Sequence, residues 1–195
     1  MAASTIFNKP SVDSREELIF VLIDGQNFRY KLPNWTNLQV DYFKLAKVFY
    51  KEESEEMVAK RMRIIYFDMF LVEKSATEFP TLEAKNGFIN GLQDKGVKVE
   101  TCDINNLPVK KNGKKDFNMD RFIIQNLEIV SDDPEVSHII LLSGDGDFYQ
   151  HLRRAANNGK RVSVVAIRNS LNPKMINDED VEVVYFEEVK KLLTE

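Results

Sequence analysis

Four times along this chain a short, largely apolar run is followed by a stretch with helical periodicity, and a fifth such run comes after them. The runs are ELIFVLID (Glu17–Asp24), RMRIIYFDMF (Arg61–Phe70), VKVETC (Val97–Cys102), HIILLS (His138–Ser143) and RVSVVAI (Arg161–Ile167). A sixth, shorter strand is expected through Tyr185, with a terminal helix after it. Strands with one wet face alternate apolar and polar residues; apart from VKVETC these do not, so both faces are expected to be covered. Strands alternating with helices predict a parallel sheet between two helical layers, an α/β fold of three layers, α/β/α, with a central mainly parallel sheet. Helices are expected over 37–51, 82–95, 117–130 and 148–157. Phe88, Ile89 and Leu92 share a face of the second, and Phe122, Ile123, Leu127 and Val130 supply the apolar residues of the third. Gly96 and Gly159 are placed as helix stops.

Parallel topology has a chemical consequence. Right-handed crossovers bring the C-terminal ends of all the strands to one edge, where open sheets of this kind bind ligands. Asp24 ends the first run and Asp68 lies near the end of the second. Ser143, Asp145 and Asp147 follow the fourth, in LLSGDGDF. The acids therefore gather where chemistry is expected.

Each acidic motif also has an ordinary explanation. Asp24, before Gly25 and Asn27, suits a helix cap or an Asx turn. Asp147, just before an amphipathic helix, suits an N-cap, although capping accounts for one acid of the pair and leaves the second acid and both glycines unexplained. Asp116 and Asp120, in KKDFNMDRF, lie four residues apart on one face at the start of a helix, where a carboxylate complements the positive end. Taken together the motifs ask for more. Asp24, Asp116 and Asp145 converge on one edge, with Asp147 and Asp120 in support. Carboxylates so placed repel one another unless a cation joins them, and hard oxygen ligands suit Mg²⁺ or Mn²⁺. One or two such ions acidify a bound water and steady charge on a phosphate, which is nuclease chemistry.

These residues resemble the NYN family, LabA-like members of the PIN-domain-like nuclease superfamily. The resemblance runs from about Leu18 to Leu193 and rests on IDGQNF, KKDFNMD and LLSGDGDF followed by HLRRAANNGKRV. It implies a flat three-layer fold and a metal-dependent ribonuclease, an endonuclease on RNA. By the same resemblance Asp24 is the first metal acid and Asn27 the asparagine of that motif. Asp116 opens the middle helix, and Asp145 and Asp147 are the acids beside Ser143. Many relatives carry another acid six residues after the position of Asp116. Here Phe122 stands there, with Asp120 the nearest substitute.

Around this centre, Lys110, Lys111, Lys114 and Lys115 form a basic loop just before Asp116, suited to steering a phosphate backbone. Ser143, Arg29 and Arg153 are further candidates for substrate contact, and Tyr30 and Trp35 for stacking on a base, though core packing serves Trp35 equally well. His138 is expected to start its strand and His151 to ride its helix; neither has the spacing of a metal ligand. The net charge of −4 excludes binding through a broadly basic surface. The lone Cys102 permits no internal disulfide, in keeping with a cytoplasmic setting. No apolar run approaches the ~18–20 residues of a membrane span. No GxGxxG follows the first strand, and no GxxxxGK[ST] occurs, which argues against nucleotide binding through those loops. Residues 1–16 are expected to be a polar lead-in and 17–195 a single domain. Two other readings use the same fold: a module that binds RNA or a protein partner without cutting, and a phosphohydrolase of small esters. Oligomeric state and protein partners are left open.

Overall fold

A computed structural model describes residues 17–32, 39–69, 82–102 and 119–194. Its strands are β1 (Leu18–Asp24), β2 (Met62–Met69), β3 (Lys98–Cys102), β4 (Val136–Leu142), β5 (Arg161–Ala166) and β6 (Glu182–Tyr185). Its helices are α1 (Gly25–Lys31), α2 (Leu45–Phe49), α3 (Glu55–Arg61), α4 (Leu82–Asp94), α5 (Asp120–Asp132), α6 (Tyr149–Asn157), α7 (Pro173–Ile176) and α8 (Phe186–Thr194). The strands form one six-stranded sheet in the order β3-β2-β1-β4-β5-β6, and every pairing is parallel. The strand order reverses between β1 and β4, so the crevice at their C-terminal ends is the topological switch point.

The period-2 pleat sends alternate side chains to opposite faces, and both faces are dry. Ile19, Val21 and Ile23 of β1 join Ile140 and Leu142 of β4 in one core, covered by Phe28, Leu45, Phe49, Val58, Leu92, Phe186 and Leu193. Leu22, Ile139 and Leu141 face the other core, with Ile123, Leu127 and Val130 of α5, Leu152 and Ala155 of α6, and Met175 of α7. This is the expected three-layer sandwich.

Helix details depart from the expected pattern at several places. Residues 37–51 do not make one helix. Asp41 accepts the Phe43 N–H at 3.1 Å and starts a tight turn over Tyr42–Lys44, α2 follows, and the chain leaves the helix at Tyr50. The helix α3 was not anticipated, because in EEMVAKR the apolar residues Met57, Val58 and Ala59 are adjacent and show no helical period; only Val58 is buried. Phe122 is 51% exposed. Ile123, Leu127 and Val130 fall at i, i+4 and i+7, and Phe122 sits about 100° off that stripe.

The two helix stops behave as expected, with φ of 83° at Gly96 and 81° at Gly159. A Cβ at Gly159 would meet nothing within 4 Å. Gly159→Ala is therefore a purely conformational change. It should cost about 1 kcal/mol in thermal unfolding and leave any activity untouched.

His138, the third residue of β4, is buried near the opposite edge of the sheet from the switch point. Its Nδ1 lies 2.8 Å from the Tyr50 hydroxyl and its Nε2 2.8 Å from Ser163 Oγ, which itself donates to Glu182 at 2.9 Å. Since Ser163 spends its proton on Glu182, Nε2 carries the imidazole proton and Nδ1 accepts from Tyr50. Burial, with Arg161 nearby, lowers the His138 pKa to about 3 and keeps the ring neutral. Among the described residues no helix is long and apolar enough to cross a membrane.

Candidate functional site

The β1 strand ends beside β4, with Ile23 opposite Leu142, so Asp24 and Ser143 emerge as neighbours. Asp24 caps α1: its Oδ1 accepts the Asn27 N–H at 3.0 Å, which fixes the start of the helix. Its Oδ2 accepts from Ser143 Oγ at 2.9 Å. Ser143 Oγ in turn accepts the Asp145 N–H at 3.1 Å, and Asp145 Oδ1 accepts the Asp147 N–H at 2.9 Å. This unbroken relay ties the end of β1 to the loop after β4. The capping role expected of one acid in GDGD falls to Asp145, not Asp147.

The glycines of both motifs have steric causes. A Cβ on Gly25 would lie 2.3 Å from Cζ and the hydroxyl of the buried Tyr66, whose phenol donates to the buried Asp68 at 3.1 Å. A Cβ on Gly144 would lie 2.4 Å from the Ser170 carbonyl oxygen, and one on Gly146 2.0 Å from Asn172 Nδ2. The segment after β5 thus lies directly against the SGDGD loop, and the Asn172 N–H donates to the Gly144 carbonyl at 3.0 Å.

Asp24, Gln26, Asn27, Lys31, Asp120 and Asp145 line a cleft of about 250 Å³ at this edge. Asp120 reaches it because α5 runs back from the C-terminal side of the sheet and Asp120 is its first residue. Burial pushes the Asp24 pKa up to about 6, against the opposing hydrogen bonds from Asn27 and Ser143 and with the help of the charges on Asp120 and Asp145. Burial, then the charges on Asp145 and Asp147, raise that of Asp120 as well. The carboxylates feel one another across the cleft. Asn27 Oδ1 is buried there without a hydrogen-bond partner, an arrangement that normally signals a ligand or water to be accepted.

These donors fit a hard divalent cation. They are carboxylate and amide oxygens, they are mutually repulsive, and one carbonyl oxygen is unsatisfied. Among the described residues, no three His, Cys, Asp or Glu side chains are yet gathered tightly enough to enclose an ion.

The remaining candidates are placed as follows. Asp147 is exposed and does not line the cleft. Ser143 is fully buried behind it. Arg153 is forked between Asp178 at 2.8 Å and Asp180 at 2.7 Å. Arg29 lies in α1, but its side chain, like that of Tyr30, is outside the described set. Asp116, Lys110, Lys111, Lys114, Lys115 and Trp35 lie outside the described residues. Gln26 and Lys31 were not anticipated. Lys31 had a signal: Asp24, Asn27 and Lys31 fall at i, i+3 and i+7, one stripe of a helix.

The family model for the NYN domain matches residues 18–187. A protein of unknown function from Vibrio parahaemolyticus, known from its crystal structure, is 20% identical. The match has a TM-score of 0.63 and covers 90% of this chain and 96% of that one, a likeness of fold. An NAD binding oxidoreductase from Klebsiella pneumoniae is 14% identical with a TM-score of 0.33, covering 89% of this chain and 35% of that one, too loose a match to bear on function. No curated protein matches the chain.

Proposed function

The chain belongs to the NYN domain family, a family of PIN-like nuclease domains, and from that premise we propose that it is a metal-dependent ribonuclease cutting RNA phosphodiester bonds internally. One observation carries the reading. At the switch point of the sheet, Asp24, Asp120 and Asp145 face one cleft with an unpartnered amide oxygen of Asn27 among them. Capping explains Asp24 and Asp145 singly; it does not explain three acids and an orphan acceptor together.

In this scheme Asp24, Asp120 and Asp145, joined by Asp116, hold Mg²⁺ or Mn²⁺. Such an ion, when bound, supplies an acidified water and offsets the charge on the phosphate. The chain's own residues do the rest. Ser143 keeps Asp24 in one rotamer. The N–H of Asp147 fixes Asp145, and the Asp147 carboxylate adds negative potential toward Asp120. Asn27 Oδ1 accepts a hydrogen from a water in the cleft and so orients it. The lysines between 110 and 115 draw the RNA backbone toward the edge.

The test is cleavage of a labelled single-stranded RNA and of a circular RNA, with Mn²⁺, with Mg²⁺ and with EDTA, beside the Asp145→Asn protein. Metal-dependent cutting of both RNAs, lost in the variant, is the expected result; retained activity in Asp145→Asn would sink the scheme. A second reading has its own observation. Phe122 stands where many family members carry an acid, and its exposed ring suits contact rather than catalysis. RNA bound tightly but never cut would favour that module, and setting it in the cytoplasm as a regulator of RNA would then be the proposal to pursue.

A further inference from the structure

We infer that Lys31 grips a phosphate of the RNA strand away from the bond that reacts, and thereby sets the direction in which the strand lies along α1. The inference rests on the cleft being a site for an RNA backbone. Asp24 caps the N-terminal end of α1 and Lys31 is its last residue, yet both line the same cleft. Seven residues separate them, about 10 Å along the axis and within about 20° of two full turns. Acid and cation therefore stand on one stripe of the helix. The rotation of that stripe is fixed from behind, because Phe28 is fully buried and its ring meets Phe186 edge-on with centroids 5.3 Å apart.

Lys31 is also uncommitted. Among the described residues it makes no ion pair, whereas Arg153, Arg154, Arg161 and Arg168 are each bound to a carboxylate. A lysine on the wall of an acidic cleft with no carboxylate partner keeps its donors for an anion that enters the cleft. A nucleic-acid strand brings such anions in series, so a strand lying along α1 meets the carboxylate end with one phosphate and Lys31 with another. As a compact point charge on a flexible stem, Lys recognises phosphate without reading sequence.

The competing role for Lys31 is local: a counter-charge for the carboxylates, or a cation that complements the C-terminal end of α1. The two roles separate experimentally. Binding of a labelled single-stranded RNA is measured by fluorescence anisotropy in EDTA over a range of salt, for the wild type, Lys31→Gln, Lys31→Arg and Asp145→Asn. Cleavage kinetics with Mn²⁺ are measured on the same proteins. Phosphate gripping predicts affinity about five- to tenfold weaker in Lys31→Gln, and a slope of log K against log salt shallower by about 0.7. It also predicts rescue by Lys31→Arg, and a raised KM with kcat and its pH profile unchanged. Unaltered affinity and salt slope overturn the inference, as does a shifted pH profile at constant KM, which marks a counter-charge. If Asp145→Asn stops cleavage while Lys31→Gln binds like the wild type, the inference falls and the nuclease reading stands. If RNA is bound through Lys31 and never cut, the nuclease reading falls and the grip on phosphate stands. No binding of RNA by the wild type removes both.

Discussion

Asp24→Asn is expected to abolish RNA cleavage and, at the same time, to make the metal-free protein more stable by about 2–3 kcal/mol at pH 8. Asp24 is buried, and burial raises its pKa from 3.8 to about 6. The folded state therefore holds the proton more tightly than the unfolded chain does. The stability this confers is complete below about pH 4 and is lost as the pH rises through about 6. Above that, folding must carry a buried charge. Asn retains the shape and remains a good cap for the Asn27 N–H, yet it has no charge to bury. The stability difference between variant and wild type should thus be near zero at pH 4, grow across pH 4–6 and stay constant beyond. Thermal unfolding in EDTA measures it; about 4–8 °C in Tm is expected at pH 8 for a chain of this size. Mn²⁺ should then raise the Tm of the wild type and not that of the variant. A difference that does not change with pH would mean that Asp24 carries no buried charge in the folded state.

A destabilised carboxylate at the mouth of a cleft is the physical form of the conflict already visible in the sequence, where acids follow an apolar run. The strands were legible because a parallel sheet covered on both faces leaves nearly unbroken apolar runs such as IFVLI and HIILL. Their common edge followed from crossover handedness, and that put Asp24 and Asp145 near each other before any distance was known. What escaped depends on directions in space that no short pattern encodes. Asp145 caps the turn because its own backbone is extended and the Asp147 N–H points back at it. Lys31 reaches the cleft because Phe28 fixes the roll of α1. Asp120 lines the cleft as the first residue of α5. The α3 helix lacked any period to find, and Phe122 looked like core because its one-residue offset from the buried stripe is small in sequence and large in angle. Asp116 lies outside the described residues, and the sequence is its sole support as a ligand.

Gly144→Ala is the other change expected to have a large effect, and it tests whether the segment after β5 holds the site in place. The added Cβ would lie 2.4 Å from the carbonyl oxygen of Ser170 and 2.5 Å from its hydroxyl. That carbonyl cannot rotate aside as a side chain would. Ser170 is tied into its own turn, with its N–H and its hydroxyl both donating to the Ile167 carbonyl at 2.8 and 2.9 Å. Either this turn or the SGDGD loop must move, so a loss of about 2–4 kcal/mol in stability is expected. Because Asp145 is the next residue, cleavage at a temperature well below the Tm should fall by about 100-fold, the scale of effect that a misplacement of about 1 Å brings. Gly146→Ala is the internal control. The three atoms nearest its Cβ all belong to the side chain of Asn172, with Nδ2 at 2.0 Å. Asn172→Ala should therefore restore most of what Gly146→Ala loses, less about 1 kcal/mol for the cap that Asn172 gives Lys174. The same Asn172→Ala should not rescue Gly144→Ala, since the obstacle there is main chain. Equal rescue of both glycine variants would show that the β5 segment yields freely, and would deny it any part in positioning Asp145.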